Sequence, residues 1–63
     1  MRTIYDLYVG NLGHVLNTHD EREAASAFAH YVGLSESGVG RCGGEDVTLL
    51  ADREVALNHE GGS

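Results

Sequence analysis

The motif with the clearest chemical meaning in this chain is the glycine-rich segment SGVGRCGGED, in which Gly38, Gly40 and Gly43 have the spacing G-x-G-x-x-G. In dinucleotide-binding proteins this spacing joins a strand to the first turn of a helix, whose free amides bind a pyrophosphate. Here the segment follows a helical pattern and leads into a strand-like one, and Glu45 and Asp46 place two carboxylates beside it. We therefore interpret it as a flexible connector and predict no phosphate or cofactor site.

Cys42 and four histidines are the other groups that could supply a nucleophile, a base or metal ligands. A catalytic cysteine needs a neighbouring base, and no spacing ties a histidine to Cys42, which we expect to be an exposed thiol in a permissive loop. Zinc sites commonly contain a C-x-x-C or H-x-x-x-H pair, and the sequence has neither. We predict no metal, and a Cys/His-dependent small-ligand or metal protein is kept as an alternative. The histidines are His14, His19, His30 and His59.

Neighbouring acids, Glu45 with Asp46 and Asp52 with Glu54, are the remaining candidates for acid–base chemistry. A catalytic acid and base need a pocket that makes the pKa values of two carboxyl groups differ, whereas acids in turns are ordinarily solvated. A domain of this size buries only about 60% of its unfolded surface and has little room for such a pocket. We predict that the protein is not an enzyme.

Charge and composition restrict the classes of partner. Ten acids and four arginines give a net charge of −6, which repels phosphate backbones and argues against direct nucleic-acid binding. No apolar run approaches the roughly 20 residues that span a bilayer, so no membrane partner is expected. The lone cysteine and the absence of an export leader favour a cytoplasmic location. We predict one small domain over residues 1–60, with residues 61–63 a frayed tail or a cloning remnant.

The first half of the chain predicts a hairpin and then a helix. Residues 3–9 alternate in polarity as in a strand, and a glycine-bounded turn joins them to a return strand at 14–17. The sequence THDE matches a capping box with Thr18 as the N-cap residue. Apolar residues at helical spacing predict a helix over about 19–32, ended by Gly33 in a left-handed conformation.

The second half predicts a long loop and a second hairpin. Residues 35–45 hold four glycines, residues 46–51 and 54–58 have strand patterns, and Asp52–Arg53 forms the reversal between them. The result is an α+β fold of order ββαββ, with one helix packed on one face of a four-stranded, mainly antiparallel sheet. The predicted core consists of Tyr5, Leu7, Val9, Val15, Ala24, Phe28, Tyr31, Val32, Val47, Leu49, Val55 and Leu57.

This order and length of elements resembles small β-grasp domains. The resemblance covers the order of elements and includes no motif, so it transfers no functional residue to this chain.

A lone helix covers one face of the sheet, so the other face should carry apolar side chains that nothing in the chain covers. Exposed patches of this kind mark homodimer or partner interfaces, unless twist and long side chains shield them. The residues assigned to this face by strict alternation are Ile4, Tyr8, Leu16, Thr48, Leu50 and Ala56.

The acidic residues suggest a sharper hypothesis, in which carboxylates imitate a phosphate array and block a nucleic-acid-binding protein. In size and charge the chain resembles small inhibitors of phages and mobile elements, including anti-CRISPR and antirestriction proteins. The function predicted is an acidic, non-enzymatic protein-binding module of that type. A solubilising acidic surface, or a homodimeric structural subunit of a larger assembly, is the alternative. The acids concerned are Asp20, Glu21, Glu23, Glu45, Asp46, Asp52 and Glu54.

Overall fold

The computed structural model describes residues 2–61 and confirms the predicted ββαββ order and α+β class. Strands β1 (Tyr5–Val9) and β2 (Gly13–Thr18) form a hairpin, helix α1 (Glu21–Ser37) follows, and strands β3 (Val47–Ala51) and β4 (Glu54–His59) form a second hairpin. The strands make one sheet in the order β2-β1-β3-β4, with every neighbouring pair antiparallel. Helix α1 thus connects two strands, β2 and β3, that run parallel on either side of β1.

The likeness to small β-grasp domains lies in the order of elements along the chain. Within the sheet, β1 pairs with both β2 and β3. Of the predicted tail, Gly61 is described and donates its amide to Asp46 Oδ1 at 2.6 Å, while Gly62 and Ser63 lie outside the described residues.

The core lies between α1 and the two central strands. Leu7 of β1 pairs with Leu49 of β3, Val9 pairs with Val47, and all four side chains are buried. On the helix, Ala24 belongs to the apolar stripe and is fully buried. Removing these aliphatic groups from water is the main term that stabilises the fold. The predicted core residues that pack partly buried around this centre are Tyr5, Val15, Phe28, Tyr31 and Val32.

Both ends of α1 differ from the prediction. The N-cap residue is Asp20, whose Oδ1 accepts the amides of the second and third helical residues at 2.9 and 3.3 Å, while the Thr18 hydroxyl accepts the Asp20 amide at 3.0 Å. Aspartate caps as well as threonine does, so the first turn forms two residues later than predicted. The helix continues through Gly33, which costs only about 1 kcal/mol, and ends at Gly38 with φ 68°. No helix within residues 2–61 has the length and apolarity needed to cross a bilayer.

An irregularity in β2 makes the predicted face of Leu16 wrong. Tyr8 pairs with His14 and Leu7 pairs with Leu16, so Val15 is an extra residue between these two pairs. Such a bulge reverses the alternation of side chains beyond it. Leu16 therefore lies opposite Leu7 and packs against the core beneath α1, not on the outer face.

A second irregularity changes the predicted core at β4. Leu49 pairs with Leu57, and the next residue of β3, Leu50, pairs with Val55, so Ala56 is the extra residue. Val55 therefore points away from the helix and is 65% exposed. Leu57 faces the helix side but is 46% exposed, because α1 packs over β1, β2 and β3 and leaves the edge strand β4 uncovered. The prediction that these two residues are buried is wrong.

The loop between α1 and β3 is held at both ends by hydrogen bonds rather than loose. The buried Ser35 donates its hydroxyl to the Glu45 carbonyl at 2.6 Å, and its own carbonyl accepts the Gly44 amide at 2.9 Å. Cys42 is 8% exposed and belongs to the hydrophobic core, so the expectation of an exposed thiol is wrong. The periodicity of apolar residues could not predict the burial of this side chain, because the loop is neither a strand nor a helix.

Candidate interaction surface

The face of the sheet opposite α1 has no helix or strand of residues 2–61 packed upon it. We call this surface the open face. The strand pairings arrange it in two rows, one across Tyr8 and its partners and one across Asp6 and its partners. The open face consists of Ile4, Asp6, Tyr8, His14, Asn17, Thr48, Leu50, Val55 and Asn58.

A hydrogen-bonded polar cluster occupies the β1–β2 side of the open face. His14 Nε2 lies 2.9 Å from Asp6 Oδ1, and Asn17 Nδ2 donates to the same oxygen at 2.8 Å. The His14 ring stacks on the Tyr8 ring with centroids 4.9 Å apart and planes at 27°. These contacts hold Asp6 and Tyr8 in one arrangement although His14 remains 43% exposed.

Aliphatic side chains occupy the other half of the open face. Leu50 lies opposite Asp6 in β3, and Val55 lies opposite Leu50 in β4. Thr48 and Asn58 bond to each other through Thr48 Oγ1 and Asn58 Oδ1 at 2.8 Å, which satisfies polar atoms in the next row. The open face thus combines an exposed valine and a half-exposed tyrosine with polar groups that already have partners.

The partner-binding residues predicted from the sequence divide between several places. Ile4, Tyr8 and Leu50 lie on the open face, whereas Leu16 lies on the opposite side for the reason given above. Sequence reasoning missed Val55, because the bulge is not visible in the alternation. It also missed His14 and Asn17 as neighbours of Asp6, although alternation already placed Asp6 on the outer side of the first strand.

The predicted acids do not form one array but lie at the two ends of the sheet. Five lie near the start of α1 and at the β3–β4 turn, where Arg2, Arg22 and Arg53 also lie; we call this the N-cap end. The other two lie where the loop joins β3, which we call the glycine-loop end, and Glu36 and Glu60 line a shallow groove at the same end. The N-cap end contains Asp20, Glu21, Glu23, Asp52 and Glu54; the glycine-loop end contains Glu36, Glu45, Asp46 and Glu60.

The glycine motif has a structural role in the folded loop. A Cβ atom at Gly43 would lie 2.5 Å from the Gly38 carbonyl carbon, so a side chain cannot fit there without moving the backbone. Gly38 itself ends the helix in the left-handed conformation, and Gly40 also has positive φ. These glycines allow the chain to turn back from α1 to β3, and the motif leads into a strand instead of a helix N-terminus.

The histidines occupy separate places in the fold. His14 lies on the open face, His19 Nδ1 lies 3.2 Å from the Thr3 carbonyl, and the His30 ring meets the Tyr31 ring edge-on. His59 pairs with Val47 as the last residue of β4. In the part of the chain that the structure describes, no three histidine, cysteine or acidic side chains come together as a metal site would require.

Comparison with known proteins assigns neither a family nor a function to the chain. Set against protein-family models, curated proteins and solved structures, the chain gives no significant match to any of them.

Proposed function

We propose that this chain is a small acidic protein-binding module that acts by contact through the open face rather than by chemistry in a cleft. The observation that supports this most is the exposure of Val55 (65%) and Tyr8 (40%) on a sheet face that no element of residues 2–61 covers. Burying apolar area is the main driving force of association, and tyrosine is enriched at protein interfaces.

The polar cluster on the open face fits the same role. A partner surface that covers it need not leave Asp6 Oδ1 or Thr48 Oγ1 without hydrogen bonds, because both atoms already have partners within the chain. Buried polar groups without partners are costly, so prior satisfaction lowers the cost of docking. Interfaces of this mixed kind, with an aromatic centre and satisfied polar groups, are typical of non-obligate complexes.

The charge favours a cationic partner. The net charge is −6, and carboxylates lie at both ends of the sheet, beyond the open face. A nucleic-acid-binding protein presents a basic surface of that kind, and blocking it is the mode of action we propose, as in the inhibitors of phages and mobile elements that the chain resembles in size and charge. Two carboxylate-rich ends flanking an open face would contact a wide basic surface.

The test makes the same substitution, valine to glutamate, at two exposed positions. Val55 lies on the open face and is 65% exposed, and Val39 lies in the glycine loop and is 75% exposed, so neither substitution removes a buried side chain. The immobilised chain is used to capture its partner from a lysate of the cells in which it occurs, in rising salt. We expect V55E to lose a protein that the unchanged chain and V39E both retain, and we expect capture to fall steeply with salt.

Retention of the partner by V55E would contradict a role for the open face, and salt-independent capture would contradict the charge-based part of the proposal.

Light scattering on the isolated chain tests the alternative of a homodimeric subunit. A stable dimer that V55E converts to a monomer would replace our proposal with that alternative.

A further inference from the structure

We infer that the open face binds an arginine side chain of the partner, which contacts both the Asp6 carboxylate and the Tyr8–His14 ring pair; this inference rests on the proposed function. The first support is the geometry of Asp6. Both of its contacts, from His14 Nε2 and Asn17 Nδ2, are made to Oδ1, so Oδ2 has no partner among residues 2–61. The Asp6 side chain is 18% exposed and is held by these two contacts, so its carboxylate is a fixed and partly desolvated acceptor.

The second support is the aromatic pair beside that carboxylate. His14 stacks on one side of the Tyr8 ring, and the Tyr8 side chain is still 40% exposed. A guanidinium group is planar, stacks on aromatic rings and donates hydrogen bonds to carboxylates from the same plane. Asp6 and Tyr8 belong to one strand and point to the same side, so one arginine can meet both groups.

The aliphatic neighbours favour arginine further. Leu50 lies opposite Asp6, and Val55 lies beyond Leu50, so apolar surface continues away from the carboxylate. The methylene groups of an arginine side chain can pack along such a surface while the guanidinium reaches the acid. A lysine ammonium is more strongly hydrated, has no flat face to stack and pairs with one oxygen at a time, so it should bind less tightly.

A second copy of this chain fits the open face poorly. Strands β1 to β4 contain no arginine or lysine, so a face-to-face pair would bring two Asp6 carboxylates together with no permanent positive charge between them. Each copy also has a net charge of −6. In a two-fold pair the same surface patch meets itself and must be self-complementary. This patch has no arginine or lysine to pair with the Asp6 carboxylate of the other copy.

The test uses a hexa-arginine peptide and a hexa-lysine peptide, titrated into the isotopically labelled chain and followed by amide chemical shifts. At about 0.15 M salt, charges separated by more than roughly 8 Å are screened, so the result reports local contacts. We expect the arginine peptide to shift amides of β1 and its neighbours on the open face. We expect the lysine peptide to bind at least about threefold more weakly.

Three variants separate the site from the overall charge. D6N keeps Oδ1 for His14 and Asn17 but places an amide at the outward position, and it should weaken hexa-arginine binding about fivefold. Y8L keeps an apolar side chain without the ring and should weaken it about threefold. E36Q removes the same charge as D6N from the glycine-loop end, so it should weaken the arginine and lysine peptides equally, by about 1.5-fold, and leave the preference for arginine unchanged.

Equal effects of D6N and E36Q, equal binding of the two peptides, or shifts confined to the glycine-loop end would overturn the arginine site. The partner captured in the Val55 experiment distinguishes this failure from that of the proposed function. If D6N keeps that partner while V55E loses it, the arginine inference is wrong and the protein-binding proposal stands. If both variants keep it, both proposals are wrong.

Discussion

At the scale of single residues, Ser35 connects the helix to the loop that follows it. Its side chain is 3% exposed, and its hydroxyl donates to the carbonyl of Glu45, ten residues later in the chain, at 2.6 Å. We expect S35A to lower the free energy of unfolding by about 1–2 kcal/mol, because a part-buried carbonyl loses its donor. Urea denaturation measures this change.

Ser37 supplies the matched control for Ser35. It lies in the same last turn but is exposed, and its hydroxyl makes only local contacts: it donates to the Leu34 carbonyl at 2.7 Å and accepts the Val39 amide at 3.3 Å. We expect S37A to change the unfolding free energy by less than about 0.5 kcal/mol. Equal effects of the two substitutions would show that the bond across the loop is not the source of stability.

Cys42 provides a second test at this scale. Because the thiol is 8% exposed within the core, a reagent reaches it only when the loop opens. We expect Ellman's reagent to react at least about tenfold more slowly with the native chain than with the chain in urea. We expect C42S to destabilise the fold by roughly 1–3 kcal/mol, because it buries a hydroxyl. Rapid native labelling would contradict the placement of Cys42 in the core.

At the scale of elements, the two glycines at and before the end of α1 should respond oppositely to alanine. Gly33 lies inside the helix, and a Cβ atom there has no atom within 4 Å, so G33A should stabilise the protein by about 0.5–1 kcal/mol. Gly38 has φ 68°, so G38A should destabilise it by about 1 kcal/mol. Thermal denaturation checks both signs, and stabilisation by G38A would mean that the helix does not end there.

Because of the bulges in β2 and β4, we expect stability effects at Leu16 and Val55 that are the opposite of those that strict alternation of side chains would predict. Leu16 packs against the core and Val55 lies on the open face. We expect L16A to cost about 1–2 kcal/mol of unfolding free energy, and V55A less than about 0.5 kcal/mol. Urea denaturation of the two variants measures both losses of unfolding free energy. A larger loss for V55A than for L16A would indicate that the strands of both hairpins pair without bulges.

These elements also show how far the sequence predicts the structure. Alternation in β1 and β3 and the apolar spacing of α1 were sufficient for the fold class and for the buried centre at Leu7, Val9 and Leu49. They failed at Leu16 and Val55, because one unpaired residue reverses a strand's faces without leaving a pattern in the sequence. They also failed at Cys42, whose burial depends on how the loop folds.

The candidate site was predictable only in part for the same reason. An uncovered face follows from one helix on one sheet, and Ile4, Tyr8 and Leu50 were assigned to it. The contacts around Asp6 depend on strand register, which brings His14 and Asn17 to one carboxylate oxygen. Register is a long-range property that a single sequence of this length does not specify.

At the scale of the whole molecule, the acids are separated into two groups by the length of the sheet. The chain measures 38 × 17 × 15 Å along its principal axes, and the two groups lie at opposite ends of the strands rather than in one patch. Among residues 2–61 no arginine lies within ion-pair distance of an acid, and the one acid–base contact is that of His14 Nε2 with Asp6 Oδ1 at 2.9 Å. A basic partner would therefore meet unpaired carboxylates at both ends.

The central claim, contact through the open face, is tested most directly by hydroxyl-radical footprinting of the chain alone and in its captured complex. Tyr8 and Val55 report on the open face, and Leu57, which is 46% exposed on the helix side, is the internal control. We predict that oxidation of Tyr8 and Val55 falls in the complex while that of Leu57 is unchanged. Protection of Leu57 with Tyr8 and Val55 still oxidised would contradict the claim.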